Sequence, residues 1–318
     1  MHPMIARLFA LGFLANKVLG FAPQPMLRLT SMALQGSFDD QEMPPSRRNF
    51  LHQSAKLLFV PLVASAASSL QPRPAWAADS PKVLVLGGTG FVGSRVVRVL
   101  QEQGVSVTAT SRDGRDGTVA LDVTKTDVAK EIESLAKGYS AIISCIGAIG
   151  SPNDGVVNAA SGLAAQGAKA AGVDRFVYIS VAPEVKEFAK GIDFLDEYMK
   201  GKTFSQSAIT SSFPNTATLI EPTFIYGGDS FSVSPPRVAS FYGEFIEALL
   251  SSGPVRGITN IAPQGFIKIA LEPPVSVEAV AAAAVNGALG SYSSGVTELD
   301  TYDKIKAAAA GMELHLID

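Results

Sequence analysis

The 318-residue chain has little to ligate a metal or relay a proton: one cysteine, Cys145, and three histidines, His2, His52 and His315. A single thiol excludes an intrachain disulfide, and no Cys/His cluster exists for a zinc site. Two of the histidines fall in a segment read below as an address. The third is near the C-terminus, so a Ser-His-Asp triad has no histidine to use. The formal net charge of −3 supplies no basic surplus to draw the chain to nucleic acid. What the sequence does have is apolar content, 47%, ample for a buried core in one or two domains.

Residues 1–79 read as addresses. "MIARLFALGFLANKVLG" is an apolar run with Arg7 near its start, followed by "FAPQP", the pattern of a secretory-type signal. Residues 21–45 lack periodicity and contain Pro23, Pro25, Pro44 and Pro45. Then Ser46-Arg47-Arg48-Asn49-Phe50-Leu51 presents a twin-arginine pattern. The apolar stretch Leu57 to Ala67 and the small-x-small cleavage signal Ala75-Trp76-Ala77 follow it. That stretch contains Pro61 and falls short of the ~20 residues a spanning helix needs. Two stacked addresses predict a plastid protein, with the thylakoid lumen or its membrane as destination and the mitochondrion as the alternative. Cleavage near Ala78 leaves about 239 residues, with 19 Lys/Arg against 25 Asp/Glu.

Beyond the leader, apolar Val-rich runs alternate with helical patterns. Strands are predicted at 82–86, 105–111, 118–123, 140–147, 175–181 and 216–222, and helices at 94–104, 126–138, 154–173 and about 192–211. This alternation predicts an α/β fold with a doubly wound parallel sheet. Residues 80–227 form the Rossmann core. Residues 228–318 supply a proline-broken lid over 228–275, then closing helices at 276–290 and 301–312 of the same domain. Ligands in such sheets lie beyond the strand C-termini.

Gly87-Gly88-Thr89-Gly90-Phe91-Val92-Gly93 sits between a strand and a helix. Gly87, Gly90 and Gly93 provide a tight turn, a close backbone approach to a pyrophosphate, and close helix–strand packing; Thr89, Phe91 and Val92 complete the loop. The dinucleotide is NADP or NAD. The second strand ends Thr110-Ser111-Arg112 with no acid at its tip, so Arg112, with Ser111 and Arg115, can hold a 2′-phosphate. That favours NADP, while Asp113 next door leaves NAD open. Asp122 and Val123 fall beside the adenine, and Cys145, Ile146 and Gly147 flank the nicotinamide ribose.

"VLGGTGFVGSRVV", "VNAASGLAAQGAKAAGVDRFVYIS" and "IEPTFIYG" resemble the short-chain dehydrogenase/reductase superfamily. More closely they resemble its atypical branch, the relatives of the 39-kDa subunit of respiratory complex I. Within it the chain is similar to a plastid NAD(P)-binding group of plants and to the yeast accessory subunit of the coenzyme Q synthesis complex. The resemblance runs from residue 81 to about 312. It implies a catalytic Ser180, at the end of the fifth strand, with Tyr198 and Lys202 one helical turn apart. A phenol with an ordinary pKa near 10 is a poor acid or base, and a neighbouring ammonium lowers it. Lys202 also reaches the ribose, and Ser180 polarises a carbonyl. Pro222 and Phe224 border the nicotinamide. Asn158 either joins a proton relay or packs, Lys200 is an alternative amine, and Tyr226 is either core or substrate wall.

The implied activity is an NADPH-dependent oxidoreductase acting on a carbonyl or alcohol. The apolar lid residues Phe231, Phe241, Tyr242 and Phe245 suit a lipid-like substrate, and the resemblance points to a quinone or its precursor. The alternatives are a non-catalytic dinucleotide-binding accessory protein of a membrane-associated complex, or a redox sensor that binds a partner protein.

Overall fold

The computed structural model describes residues 81–227, 232–233, 236–237, 240–253, 266–292 and 294–311. The address segment, Phe231 and His315 lie outside the described residues, as do the side chains of Phe241, Tyr242 and Phe245.

The chain begins with β1 (Lys82–Leu86), α1 (Gly93–Glu102), β2 (Ser106–Ser111), β3 (Val119–Ala120), α2 (Val128–Leu135), β4 (Ala141–Ser144) and α3 (Asp154–Ala170). Then come β5 (Arg175–Ile179), α4 (Pro183–Phe188), α5 (Asp193–Ser212), β6 (Ala217–Ile220), β7 (Ile225–Tyr226), β8 (Ser232–Val233) and β9 (Pro236–Arg237). The last elements are α6 (Ser240–Leu250), α7 (Phe266–Leu271), β10 (Val275–Ser276), α8 (Val277–Ala288), β11 (Thr297–Leu299) and α9 (Tyr302–Ala309).

Seven of the strands form one sheet in the order β11-β6-β5-β4-β1-β2-β3. Every pairing in it is parallel. The chain goes from β1 outward through β2 and β3, then crosses back to β4, so the direction of winding reverses between β1 and β4. That is the doubly wound topology, and it opens a crevice beyond the C-termini of those two strands.

Strand periodicity builds the two cores. Val83 and Val85 face one side with Ile143, Val177 and the alanine-rich α8. Leu84 and Leu86 face the other with Ile142, Phe176 and the alanines of α3. Because both faces are covered, the strands read as continuous apolar runs. The small residues of α3 have a purpose: a Cβ on Gly167 would lie 2.1 Å from the Ala129 carbonyl oxygen of α2.

Several predicted bounds shorten. The third strand is 119–120 rather than 118–123. The fourth ends at Ser144 rather than 147, and the fifth at Ile179 rather than 181. One more backbone bond follows each strand, from Leu121 N–H to the Ser111 carbonyl, Cys145 N–H to that of Leu86 and Ser180 N–H to that of Ile220. The 228–275 segment, expected to be irregular, contains α6 and α7. The region after 228 also contributes to the sheet itself, since β11 pairs with β6 at its outer edge.

Candidate functional site

The glycine loop leaves β1 at Gly87, whose φ of +76° is a conformation that side chains disfavour. Its N–H donates to Thr110 Oγ1 at 3.3 Å, and the Gly88 N–H donates to the Thr110 carbonyl at 2.8 Å. The loop is thereby stitched to the end of β2. A Cβ on Gly93 would sit 2.2 Å from the Gly87 oxygen, so only glycine lets α1 start this close to β1. Gly88 was not singled out above, yet its Cβ would lie 2.5 Å from that of Ala109. The doubled glycine opposite a small residue of β2 was the available signal. Gly90 is exposed. No acidic residue occupies the first turn of α1 and no side chain caps it, in contrast to α2, α8 and α9, capped by Asp127, Ser276 and Thr301. A glycine cradle under an uncapped helix start fits a pyrophosphate.

At the tip of β2, Arg112 is exposed and has no carboxylate partner among the described residues. Arg115, by contrast, is 3.6 Å from Asp113. Ser111 Oγ is held by its own loop, with Gly114 N–H at 3.0 Å and Thr118 Oγ1 at 2.7 Å, and it meets Asp113 Oδ1 at 3.2 Å. Asp113 therefore has local partners, and of the two arginines here Arg112 is the one without a carboxylate among the described residues. The Asp122 carboxylate is also committed locally. It accepts from Thr124 Oγ1 at 2.6 Å and pairs with Lys125 at 3.0 Å. These bonds hold it down at a pKa of about 2. Its backbone and Val123 are what remain for an adenine.

The end of β4 meets α5. Gly147 is the contact point: a Cβ there would be 3.4 Å from both Lys202 Nζ and Asn158 Oδ1. Asn158, fully buried on α3, donates to the carbonyls of Ala148 at 2.6 Å and Asp154 at 2.8 Å. It holds the loop after β4. Asp154, missed in the sequence, does the same by accepting from the N–H groups of Gly150 and Ser151 at 2.6 and 2.9 Å. Cys145 lies against this wall, and burial raises its thiol to about 12. Ile146 packs against the α2/α3 side of the core.

Lys202 is 4% exposed and donates to the Ile179 carbonyl at 3.0 Å. Its ammonium lies 4.8 Å from the Tyr178 ring centre and 5.8 Å from that of Tyr198. Burial lowers its pKa to about 7. Ser180, one residue past β5, is buried, and among the described residues its Oγ has no partner in hydrogen-bonding geometry; nor has the hydroxyl of the fully buried Tyr178, which lies beside it. Orphaned buried hydroxyls cost free energy unless something else satisfies them. Tyr198 is half-buried. Its phenol is not lowered as expected but raised to about 12, by burial first and by the Asp154 carboxylate second. The reason is that Lys202 faces the ring rather than pairing with the hydroxyl.

Lys200, the alternative amine, is exposed and paired with Asp196 at 2.9 Å and Glu197 at 3.0 Å. Pro222 is buried after β6, and its carbonyl accepts from Ala182 N–H at 3.3 Å. Phe224 is 45% exposed. Tyr226 is core: it is 6% exposed and its hydroxyl bonds the carboxylate of Glu247. Among the described residues no three His, Cys, Asp or Glu could hold a metal ion, and no helix is long and apolar enough to cross a membrane.

Residues 87–234 match a family model described as NAD(P)H-binding. An uncharacterized chloroplastic protein of Arabidopsis thaliana is 29% identical over 245 residues, which is 73% of this chain and 79% of that protein. Among solved structures, the chain is similar to the oxidoreductase ylbE of Lactococcus lactis, at 24% identity and a TM-score of 0.39, covering 47% of this chain and 71% of that one. It is also similar to the UDP-N-acetylglucosamine 4-epimerase of Bacillus cereus, at 13% identity and a TM-score of 0.44, covering 69% and 77%. The glycine cradle and the winding reversal between β1 and β4 lie within the stretch that matches the NAD(P)H-binding family, and the sheet is Rossmann-like.

Proposed function

We propose that the protein is an NADPH-dependent oxidoreductase of the short-chain dehydrogenase/reductase type, acting in a plastid on a carbonyl or alcohol of an apolar substrate. The observation that carries this reading is the grouping around Lys202. Its buried ammonium contacts the ring of Tyr198 and bonds the carbonyl that immediately precedes the unpartnered Ser180 hydroxyl. The bound dinucleotide would supply or accept the hydride. Gly87, Gly88, Gly90 and Gly93 would hold its pyrophosphate, Arg112 its 2′-phosphate, and Lys202 with Gly147 its nicotinamide half. Arg112 supports NADP over NAD because the neighbouring acid, Asp113, is engaged by Ser111 and Arg115.

Tyr198 is protonated at neutral pH, with its phenol at about 12. It is therefore a proton donor in this state, which suits reduction of a carbonyl better than oxidation of an alcohol. Ser180 has an uncommitted donor for a carbonyl oxygen. The plastid location is supported by the leader and by the chloroplastic relative. A prenylated quinone or its precursor is the first substrate class to test.

A second reading, a non-catalytic dinucleotide-binding accessory protein, is favoured by one observation: the phenol is raised rather than primed. Tyr198→Phe decides between them. On the first reading NADPH consumption with carbonyl and quinone substrates falls about 100-fold or more while NADPH binding persists. Turnover that survives the substitution rules out Tyr198 as the acid. A protein that binds NADPH, turns over none of these substrates and keeps its role in the cell as the Phe variant is an accessory protein.

A further inference from the structure

At the end of the sheet remote from the crevice, three neighbouring strands each place a polar residue on one face. Arg175 opens β5, Thr218 is the second residue of β6, and Thr297 opens β11. Thr218 and Thr297 are register partners, and Thr218 also pairs with Val177, two residues after Arg175. All three side chains therefore share the face that α8 covers. Two residues further along each strand that face is apolar, with Val177, Ile220 and Leu299 fully buried in the core beneath the helix. The apolar core stops short of the strand starts, and there the polar residues line a cavity of about 170 Å³. Two glycines keep it open. A Cβ on Gly287, in the last turn of α8, would lie 3.0 Å from Thr218 Oγ1 and 3.1 Å from the Tyr292 ring. A Cβ on Gly290 would lie 2.8 Å from the Arg175 guanidinium carbon.

The polar groups of this cavity are uncommitted. Among the described residues the Arg175 side chain has no ion pair and no hydrogen bond, and no acid lines the cavity. Thr218 is 3% exposed, and its hydroxyl has no partner either. The Asn215 amide and the Thr297 hydroxyl are likewise unpaired. Offsetting the partial negative charge at the C-terminus of α8 would explain the cation alone. Yet Arg175 donates to none of that helix's carbonyls, and the role leaves Thr218 without an account. Valine, of nearly the same shape, would extend the core with no buried polar atom to satisfy. We propose that the cavity binds a small oxyanion, a phosphate or carboxylate group held in the fork of Arg175 and completed by the Thr218 hydroxyl, with Asn215 on the exposed side. A guanidinium presents paired N–H donors that match the oxygens of either group. The site lies at the opposite end of the strands from the glycine loop, so it is separate from the place of a dinucleotide's own phosphates and does not depend on the proposed oxidoreductase activity.

The test is an NMR titration of the full chain that follows the arginine 15Nε–1Hε signals, with Arg175→Met assigning the resonance. Sodium phosphate and sodium succinate are added in separate titrations at constant ionic strength. The Arg175 signal shifts saturably with at least one of them, and the anion that saturates it identifies the group. Thr218→Val weakens that binding at least about fivefold, the loss of one hydrogen bond to a charged group. Gly287→Ala abolishes it, because the added methyl fills the cavity from a helical position that alanine favours. If one variant does not fold, the other decides. A shift that only grows linearly with both salts overturns the proposal. So does an affinity unchanged in either variant, which would leave a water-filled cavity beside an arginine that serves the helix end.

Discussion

Lys202 has a pKa near 7 in the folded chain and about 10.5 in the unfolded one. Below pH 7 both states hold the proton, and the buried charge costs stability. Between about 7 and 10.5 the unfolded state binds more protons, so stability rises with pH. Lys202→Met removes the charge and keeps the volume. It should stabilise the nucleotide-free protein at pH 6.5 by on the order of 1–3 kcal/mol and flatten that rise. Urea unfolding across pH measures both. A destabilised Met variant would show that Lys202 serves packing rather than binding. Gly93 carries an opposite prediction. Its Cβ would lie 2.2 Å from a backbone oxygen and 2.9 Å from a backbone carbon, neither of which can swing aside. Gly93→Ala should lower NADPH affinity at least tenfold, read by fluorescence titration, through a displaced loop. These roles differ in how far the sequence disclosed them. The glycine spacing is legible because it is local. The burial of Lys202, and so its depressed pKa, depends on β4 and β5 arriving from 20 to 60 residues away.

At the scale of elements, α3 and α5 define the site because they lie unusually close. Gly201 weakens a helix by about 1 kcal/mol when judged by propensity. In the fold its Cβ would lie 2.8 Å from both the Gly155 oxygen and the Asn158 Cβ. Ser205 completes the contact, accepting from Gly162 N–H at 3.0 Å and donating to the Asn158 carbonyl at 2.6 Å. Gly201→Ala should therefore destabilise by about 1–3 kcal/mol, overpacking outweighing the gain in propensity. A shift of the urea midpoint to lower concentration is the expected outcome; a shift to higher would mean that the helices separate freely. Helix α4 and strand β11 escaped the sequence reading for physical reasons. The first is six residues long and opens on Pro183, so it has too few turns to show a period. The second is three residues long with one buried, and it is a strand because β6 offers it an edge.

For the whole molecule, dinucleotide binding should stabilise the native state by about 2.7 kcal/mol at one hundred times its dissociation constant. NADPH should raise the melting temperature more than NADH at equal concentration, and Arg112→Ser should abolish the difference. Equal shifts from the two nucleotides in the unmodified chain would assign NAD instead. The mature N-terminus, read by mass spectrometry, should fall near Ala78; a start before Arg47 removes the lumenal destination. By itself the sequence determined the alternation of strands and helices, the parallel sheet and the glycine loop. Each is written in short-range periodicity and in glycines a few residues apart. Tertiary structure decided the rest. It made Lys200 a surface cation and Lys202 a buried one, two residues apart on one helix, because their faces meet different neighbours. It raised the Tyr198 phenol where the motif alone suggested lowering, because burial and Asp154 act there while the Lys202 ammonium faces the ring. Charge and desolvation depend on what surrounds a group in space, and those neighbours come from distant parts of the chain.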